Sequence, residues 1–294
     1  PGGNFDFNHV YAPSGDLQAA PAPRTVGAAA ANGAAPRELS PRVGLIDGGV
    51  DGAHPVFRGV LIHRHGCGEV AVPDPHGTAV ASLLVGRAPQ FRGAAPGAEL
   101  YAADVYCGAP TGGAVDALAD AFAWLVRMGV PVINVSLVGP SNSTLQAVVQ
   151  KVLARGVLIV AAVGNDGPAA PPLYPASYPG VIGVTAVDAR RHALPEAAQG
   201  PQVRFAAPGA DMAAACSPQA FALVRGTSFA APLVAGLLAL QYHGQDPVAA
   251  ARAIDALAHQ AVDLGAPGRD AVYGYGLVGA DLGPQARLAS LHLP

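Results

Sequence analysis

The sequence has 294 residues, 51% of them hydrophobic and only 13% charged, with a formal net charge of -3. It is long and apolar enough to bury a large core, which excludes an extensively disordered chain. It carries no basic stripe of the kind that grips nucleic acid and no apolar run near the ~20 residues of a membrane span, so neither partner is expected. In chain order, Phe5, Phe7, His9 and Tyr11 alternate with other residues and predict a short strand with those four side chains on one face. Residues 12–41 are rich in Ala, Pro and Gly without a hydrophobic period and read as an arm or linker. Regular patterning begins at Arg42. An apolar run over 43–46 leads into Asp47, and a helix is expected to start near His76. Strands are expected over 100–105, 130–135, 157–163 and 181–187, and helices over 114–128 and 143–155. A nearly uncharged, hence buried, helix covers 228–242, and an amphipathic one covers 246–260. Strands apolar on both faces that alternate with helices predict an α/β fold, a mostly parallel central sheet covered by helices on both faces. Sites in such sheets form beyond the carboxyl ends of the strands, where Asp47 and Asn165 fall.

The chemistry-bearing residues sit in distinctive surroundings. Ser228 lies in Gly226-Thr227-Ser228-Phe229-Ala230-Ala231-Pro232 at a helix start. A serine there is ordinarily an N-cap, but a helix N-terminus also offers N–H groups and a positive dipole end to a developing oxyanion. His76, in His76-Gly77-Thr78, opens another helix among small neighbours, which suits an imidazole general base. Asp47 ends a buried strand before Gly48-Gly49, and Asn165 follows Val163-Gly164. Each of these last two reads alone as a turn residue. Together, a carboxylate would orient the imidazole and a side-chain amide would donate to the oxyanion.

The order Asp, His, Asn, Ser in these contexts resembles the subtilisin-like serine proteases, the subtilases. The stretches that carry the resemblance are residues 43–50, 76–78, 132–137, 161–167, 207–209, 226–232 and 273–278, and the resemblance spans about residues 41–282. It implies a three-layer subtilisin-like fold, a catalytic domain over 42–294 and a serine endopeptidase that works through an acyl-enzyme. The implied catalytic residues are Asp47, His76, Ser228 and Asn165. An extended peptide or protein substrate is implied to pair with Ser136, Leu137, Val138 and Gly139 on one side and with the loop near Cys107 to Gly113, Gly108 included, on the other, with Ala162 and Gly164 close by. Residues 1–13 look like the end of an inhibitory prodomain, with 14–41 as the arm, so the chain's own prodomain is an expected partner. No cofactor or metal is expected, and a secreted or periplasmic monomer is implied, although no signal peptide opens the sequence.

Departures from the family pattern carry expectations of their own. Val138 stands where glycine is common and should narrow the primary pocket toward small or slim P1 side chains. Gly48 replaces a hydroxyl residue, so a hydrogen bond to Asp47 should be missing and another donor must serve. Phe229 replaces methionine, which removes an oxidation site or crowds the leaving-group side. The loop at 86–93 has two arginines and no carboxylate, so calcium is not expected there. His63, His65 and Cys67 alternate and read either as part of a zinc site or, for Cys67, as one half of a bridge to Cys107. Two other readings differ in class. An α/β-hydrolase esterase would need a Gly-x-Ser-x-Gly elbow and the order Ser, acid, His. An inactive subtilase-like binding module would keep the fold without the reaction.

Overall fold

The computed structural model describes residues 6–19, 40–89, 91–216 and 220–282. In chain order the strands are β1 (Val10–Pro13), β2 (Asp16–Ala19), β3 (Arg42–Asp47), β4 (Ile62–His65), β5 (Arg87–Ala88), β6 (Phe91–Arg92), β7 (Glu99–Asp104), β8 (Gly113–Ala114), β9 (Val132–Val135), β10 (Leu137–Val138), β11 (Leu158–Ala162), β12 (Ile182–Val187), β13 (Val203–Pro208), β14 (Met212–Cys216) and β15 (Ala220–Arg225). The helices are α1 (Pro75–Val85), α2 (Val115–Arg127), α3 (Ser143–Leu153), α4 (Thr227–Gln241) and α5 (Pro247–Gln260).

Seven strands form one parallel sheet in the order β13-β12-β11-β9-β3-β7-β4. Their alternating side chains feed two cores. Val43, Leu45, Val132, Leu158 and Val160 pack with α1, α4 and α5 on one face. Ile46, Ile133, Val135, Ile159 and Ala161 pack with α2 and α3 on the other. Helices on both sides explain why these strands are apolar on both faces. The expected elements therefore form, with ends moved by a few residues.

The chain builds the sheet outward from β3 in two directions. β4 and β7 lie on one side, while β9, β11, β12 and β13 follow on the other. The strand order reverses between β3 and β9, and a crevice opens beyond their carboxyl ends. Asp47 ends β3, and Ser136 directly follows β9.

Residues 6–19 depart from expectation. The expected strand at 5–11 instead runs over Val10–Pro13, Phe5 lies outside the described residues, and Phe7 is exposed. Of the three described side chains expected on that face, Phe7, His9 and Tyr11, Tyr11 alone is fully buried. The reason is nonlocal pairing. β1 lies antiparallel between β8 and β10, in the register Val10 with Ala114, Tyr11 with Gly113, Ala12 with Val138 and Pro13 with Leu137. Residues 16–19, expected to be part of an arm, form β2 against β15. The rest of that arm, 20–39, lies outside the described residues. Residues 6–9 bridge the starts of two helices. Ser143 N–H at the head of α3 donates to Asp6 Oδ2 at 2.7 Å, and Val115 N–H at the head of α2 donates to His9 O at 3.2 Å. A carboxylate is favoured at a helix N-terminus, and the Ser143 bond holds the Asp6 carboxyl below its ordinary range.

Candidate active site

Asp47 and His76 are brought together by tight backbone packing. A side chain on Gly77 would strike the Gly48 carbonyl, and one on Gly49 would strike the Val72 carbonyl. Without those glycines the start of α1 could not settle onto the end of β3. A side chain on Gly48 would come within 2.7 Å of Asp74 Cβ and Cγ, which explains glycine in place of the usual hydroxyl residue. Asp74 is the N-cap of α1, its Oδ1 accepting from the N–H groups of His76 and Gly77, each at 2.9 Å.

His76 Nδ1 and Asp47 Oδ1 are 2.9 Å apart, and both residues are buried. The Gly48 N–H also donates to Asp47 Oδ1, at 2.7 Å, while Oδ2 is buried without a partner among the described residues. The donor missing at Gly48 is thus only partly replaced. Burial pushes the Asp47 carboxyl up, against the pull of His76 and Gly48 toward its ionised form. Burial disfavours the protonated imidazole of His76, but the Asp47 charge, their hydrogen bond and Asp74 behind them together raise it above its ordinary value. A base must be neutral to accept a proton, so a raised value means activity is lost as pH falls through it. The acid limb of kcat/KM is therefore expected above the ordinary imidazole value of about 6.5. Asp74→Asn, which keeps a capping oxygen, should move that limb down. A wild-type limb at or below about 6.5 in a pH–rate profile would contradict this.

Ser228 sits in the first turn of α4. Pro232 lacks an N–H, so the Ser228 carbonyl has no helical donor four residues on. Ser136 fills that gap, with its Oγ donating to Ser228 O at 2.9 Å while Ser228 Oγ donates to Ser136 O at 3.0 Å. Asn134 Nδ2 in turn donates to Ser136 Oγ at 2.8 Å. Ser228 Oγ thus points at Ser136, just past β9, and His76 Nε2 is buried without a partner among the described residues. Phe229 is fully buried, its ring 5.2 Å from that of His76 between centroids. Asn165 accepts the Thr227 N–H at Oδ1 (3.0 Å), which turns its Nδ2 toward the cleft. Gly164 N–H donates to Thr227 Oγ1 at 3.2 Å, tying the end of β11 to the start of α4.

The chain's own N-terminal segment occupies the cleft. After β1, Ser14 is 5% exposed. The Ser228 N–H donates to Ser14 O at 3.2 Å, and Asn165 Nδ2 donates to Ser14 Oγ at 2.6 Å. β1 pairs with Leu137 and Val138 as expected of an extended peptide, while Gly139 exchanges backbone hydrogen bonds with Tyr174 and supports the Tyr11 ring. On its other side β1 pairs with Gly113–Ala114, at the end of the expected 107–113 loop, and not with Gly108. A turn made by Ala109 N–H to Tyr106 O and Gly112 N–H to Ala109 O carries the loop past Gly108 before it meets β1. Ala162 is buried at the end of β11, in the core beneath α4.

Cys67 and Cys107 form a disulfide that ties this loop to the region after β4. The zinc reading is thereby overturned, since Cys67 is bonded to Cys107. His63 stacks on Tyr101 (4.3 Å), and His65 stacks on Trp124 (4.8 Å) and contacts Asp120 Oδ2 (2.6 Å). The residues that the sequence did not single out are Asp74, Ser14 and Gly15. Asp74 had a readable signal in Asp74-Pro75, an N-cap followed by proline.

The family model described as "Subtilase family" matches residues 40–276. The chain is 32% identical to subtilisin DY from Bacillus licheniformis over 252 residues, covering 83% of this chain and 90% of the relative. Among solved structures, the prenylagaramide maturation protease PagA superposes with a TM-score of 0.70 at 28% identity, over 83% of this chain and 92% of that one. The protease domain of PatA superposes with a TM-score of 0.72 at 26% identity, over 82% and 93%.

Proposed function

The chain belongs to the subtilase family and is a serine endopeptidase, and from that premise we propose that Asp47, His76 and Ser228 are its catalytic triad, with Asn165 and the Ser228 N–H as oxyanion donors. Ser228 Oγ leaves Ser136 O for His76 Nε2, gives up its proton there and attacks the scissile carbonyl carbon. The carbonyl oxygen becomes an oxyanion held by the two donors. The C–N bond breaks, His76 returns the proton to the leaving amine, and water repeats the sequence on the acyl-enzyme. The observation that carries this reading is the Ser14 carbonyl on the Ser228 N–H, in a segment paired on both sides as an extended substrate would be.

The N-terminal segment acts as an intramolecular occupant of the cleft, as the end of a prodomain would. Its register makes Ser14 the P1 residue, Pro13 P2, Ala12 P3 and the fully buried Tyr11 P4. A serine at P1 fits the narrowing by Val138, so small or slim P1 residues are preferred. The likeness to a maturation protease makes a precursor peptide the substrate to try first. Secretion or export belongs to the same proposal; no helix among the described residues is long and apolar enough to cross a membrane. A peptide library varied at P1 is expected to return Ala, Ser or Gly, and a clear preference for Phe or Tyr would overturn the pocket assignment. The alternative, an inactive binding module, draws on the Ser228 Oγ bond to Ser136 O, away from His76.

A further inference from the structure

The segment in the cleft also reports on the leaving side of the cut. Gly15 follows Ser14 with φ at +144°, a conformation that side-chain-bearing residues rarely adopt. A Cβ built on it lies 2.6 Å from Phe229 Cε2, 3.2 Å from Phe229 Cδ2 and 3.0 Å from the Arg225 carbonyl oxygen. These neighbours have little freedom to retreat. Phe229 is fully buried against the His76 ring, so moving it disturbs the imidazole. Arg225 belongs to β15, paired with β2 immediately downstream of Gly15. On the enzyme side, a Cβ on Gly226 would lie 2.7 Å from Gly15 Cα. The two glycines therefore pack backbone against backbone, with the Phe229 ring closing the space beside them.

We infer that Phe229 is a specificity-determining residue that restricts the leaving side of the cut bond to glycine. The substrate class is then a peptide with a small residue at P1 followed by glycine, and the chain's own Ser14–Gly15 bond belongs to it. The inference rests on the proposed triad reading, in which Ser14 is the P1 residue. An alanine after the cut bond must either push Phe229 into His76 or rotate the backbone out of its pairing with β15. One misplaced carbon in a closed pocket discriminates by between about 10- and 200-fold.

The test uses the full chain and synthetic peptides that copy residues 10–19, with Gly, Ala or Leu at the position of Gly15. The N-terminal segment competes with every peptide alike, so ratios of kcat/KM are read. Wild type is expected to favour Gly over Ala by at least about 10-fold and to leave the Leu peptide essentially uncut. Phe229→Ala is expected to lower the Gly/Ala ratio several-fold, whatever it does to the absolute rate through His76, with the positive φ and the Arg225 carbonyl keeping the ratio above one. Should Phe229→Ala fail to fold, Phe229→Met supplies the same comparison, and the wild-type series stands by itself. Equal cutting of the Gly and Ala peptides by wild type overturns the inference and leaves the protease reading intact. If wild type cuts neither these peptides nor an unrelated protein substrate, the triad reading fails and the inference falls with it.

Discussion

Ser228→Ala is expected to lower kcat by roughly 10⁶, a scale carried over from subtilisin, the family's namesake. Its physical basis in this chain is that the groups around Ser228 are already arranged and only its hydroxyl is lost. The Ser228 N–H already holds a carbonyl, that of Ser14, and the Asp47–His76 pair is already bonded. Removing Oγ deletes the proposed nucleophile while leaving that frame in place. Ser136 Oγ would still donate to the Ser228 carbonyl, which depends on the backbone and on Pro232 rather than on the lost hydroxyl. The variant should therefore fold, keep its N-terminal segment in the cleft and retain the Ser14–Gly15 bond. Peptide hydrolysis together with the intact mass of the purified chain reads both consequences. Undiminished hydrolysis by Ser228→Ala would remove Ser228 from the reaction.

Asn165→Ala is expected to lower kcat by roughly 10²–10³ with a much smaller change in KM, the range again being that of the matching asparagine in subtilisin. The amide is held in orientation by Thr227 N–H on its oxygen, which leaves Nδ2 as the donor facing Ser14. In the resting structure Nδ2 takes the Ser14 hydroxyl, and the Ser14 carbonyl has only the Ser228 N–H. Nδ2 carries a second N–H, which can turn to the carbonyl oxygen as charge grows there. An interaction gained only in the transition state appears in kcat and kcat/KM together. A variant that raised KM at unchanged kcat would instead make Asn165 a ground-state contact.

How much of this was legible follows from which features are local. The sheet strands announce themselves by apolar runs such as 158–162, and α4 by its lack of charge. The candidate triad is legible because each member stands at the end of a strand or the start of a helix, among small residues whose crowding the structure explains. Gly77 beside the Gly48 carbonyl is one such case. What escaped was nonlocal. Ala12-Pro13-Ser14-Gly15 carries turn residues and no hydrophobic period, and nothing within it reveals pairing with strands more than 100 residues away. The antiparallel β14–β15 pair is not legible because Met212-Ala213-Ala214-Ala215-Cys216 has little β-branched or alternating character. Which part of the 107–113 loop meets β1 is not legible either, because the turn that carries the chain past Gly108 to the pairing at Gly113–Ala114 depends on the hydrogen bonds of a folded loop. The bridge between Cys67 and Cys107 could be raised as an option, but its geometry belongs to β4 and β7 lying side by side.

The central claim is that Ser228 is a nucleophile activated by His76, and covalent labelling tests it most directly. A fluorophosphonate probe added to the purified chain should attach at Ser228, as mapped by peptide mass spectrometry. His76→Ala should abolish that labelling while leaving the fold intact. Absence of label on Ser228 in the wild-type chain after its N-terminal segment has been cut away, or label that survives His76→Ala undiminished, would contradict the account.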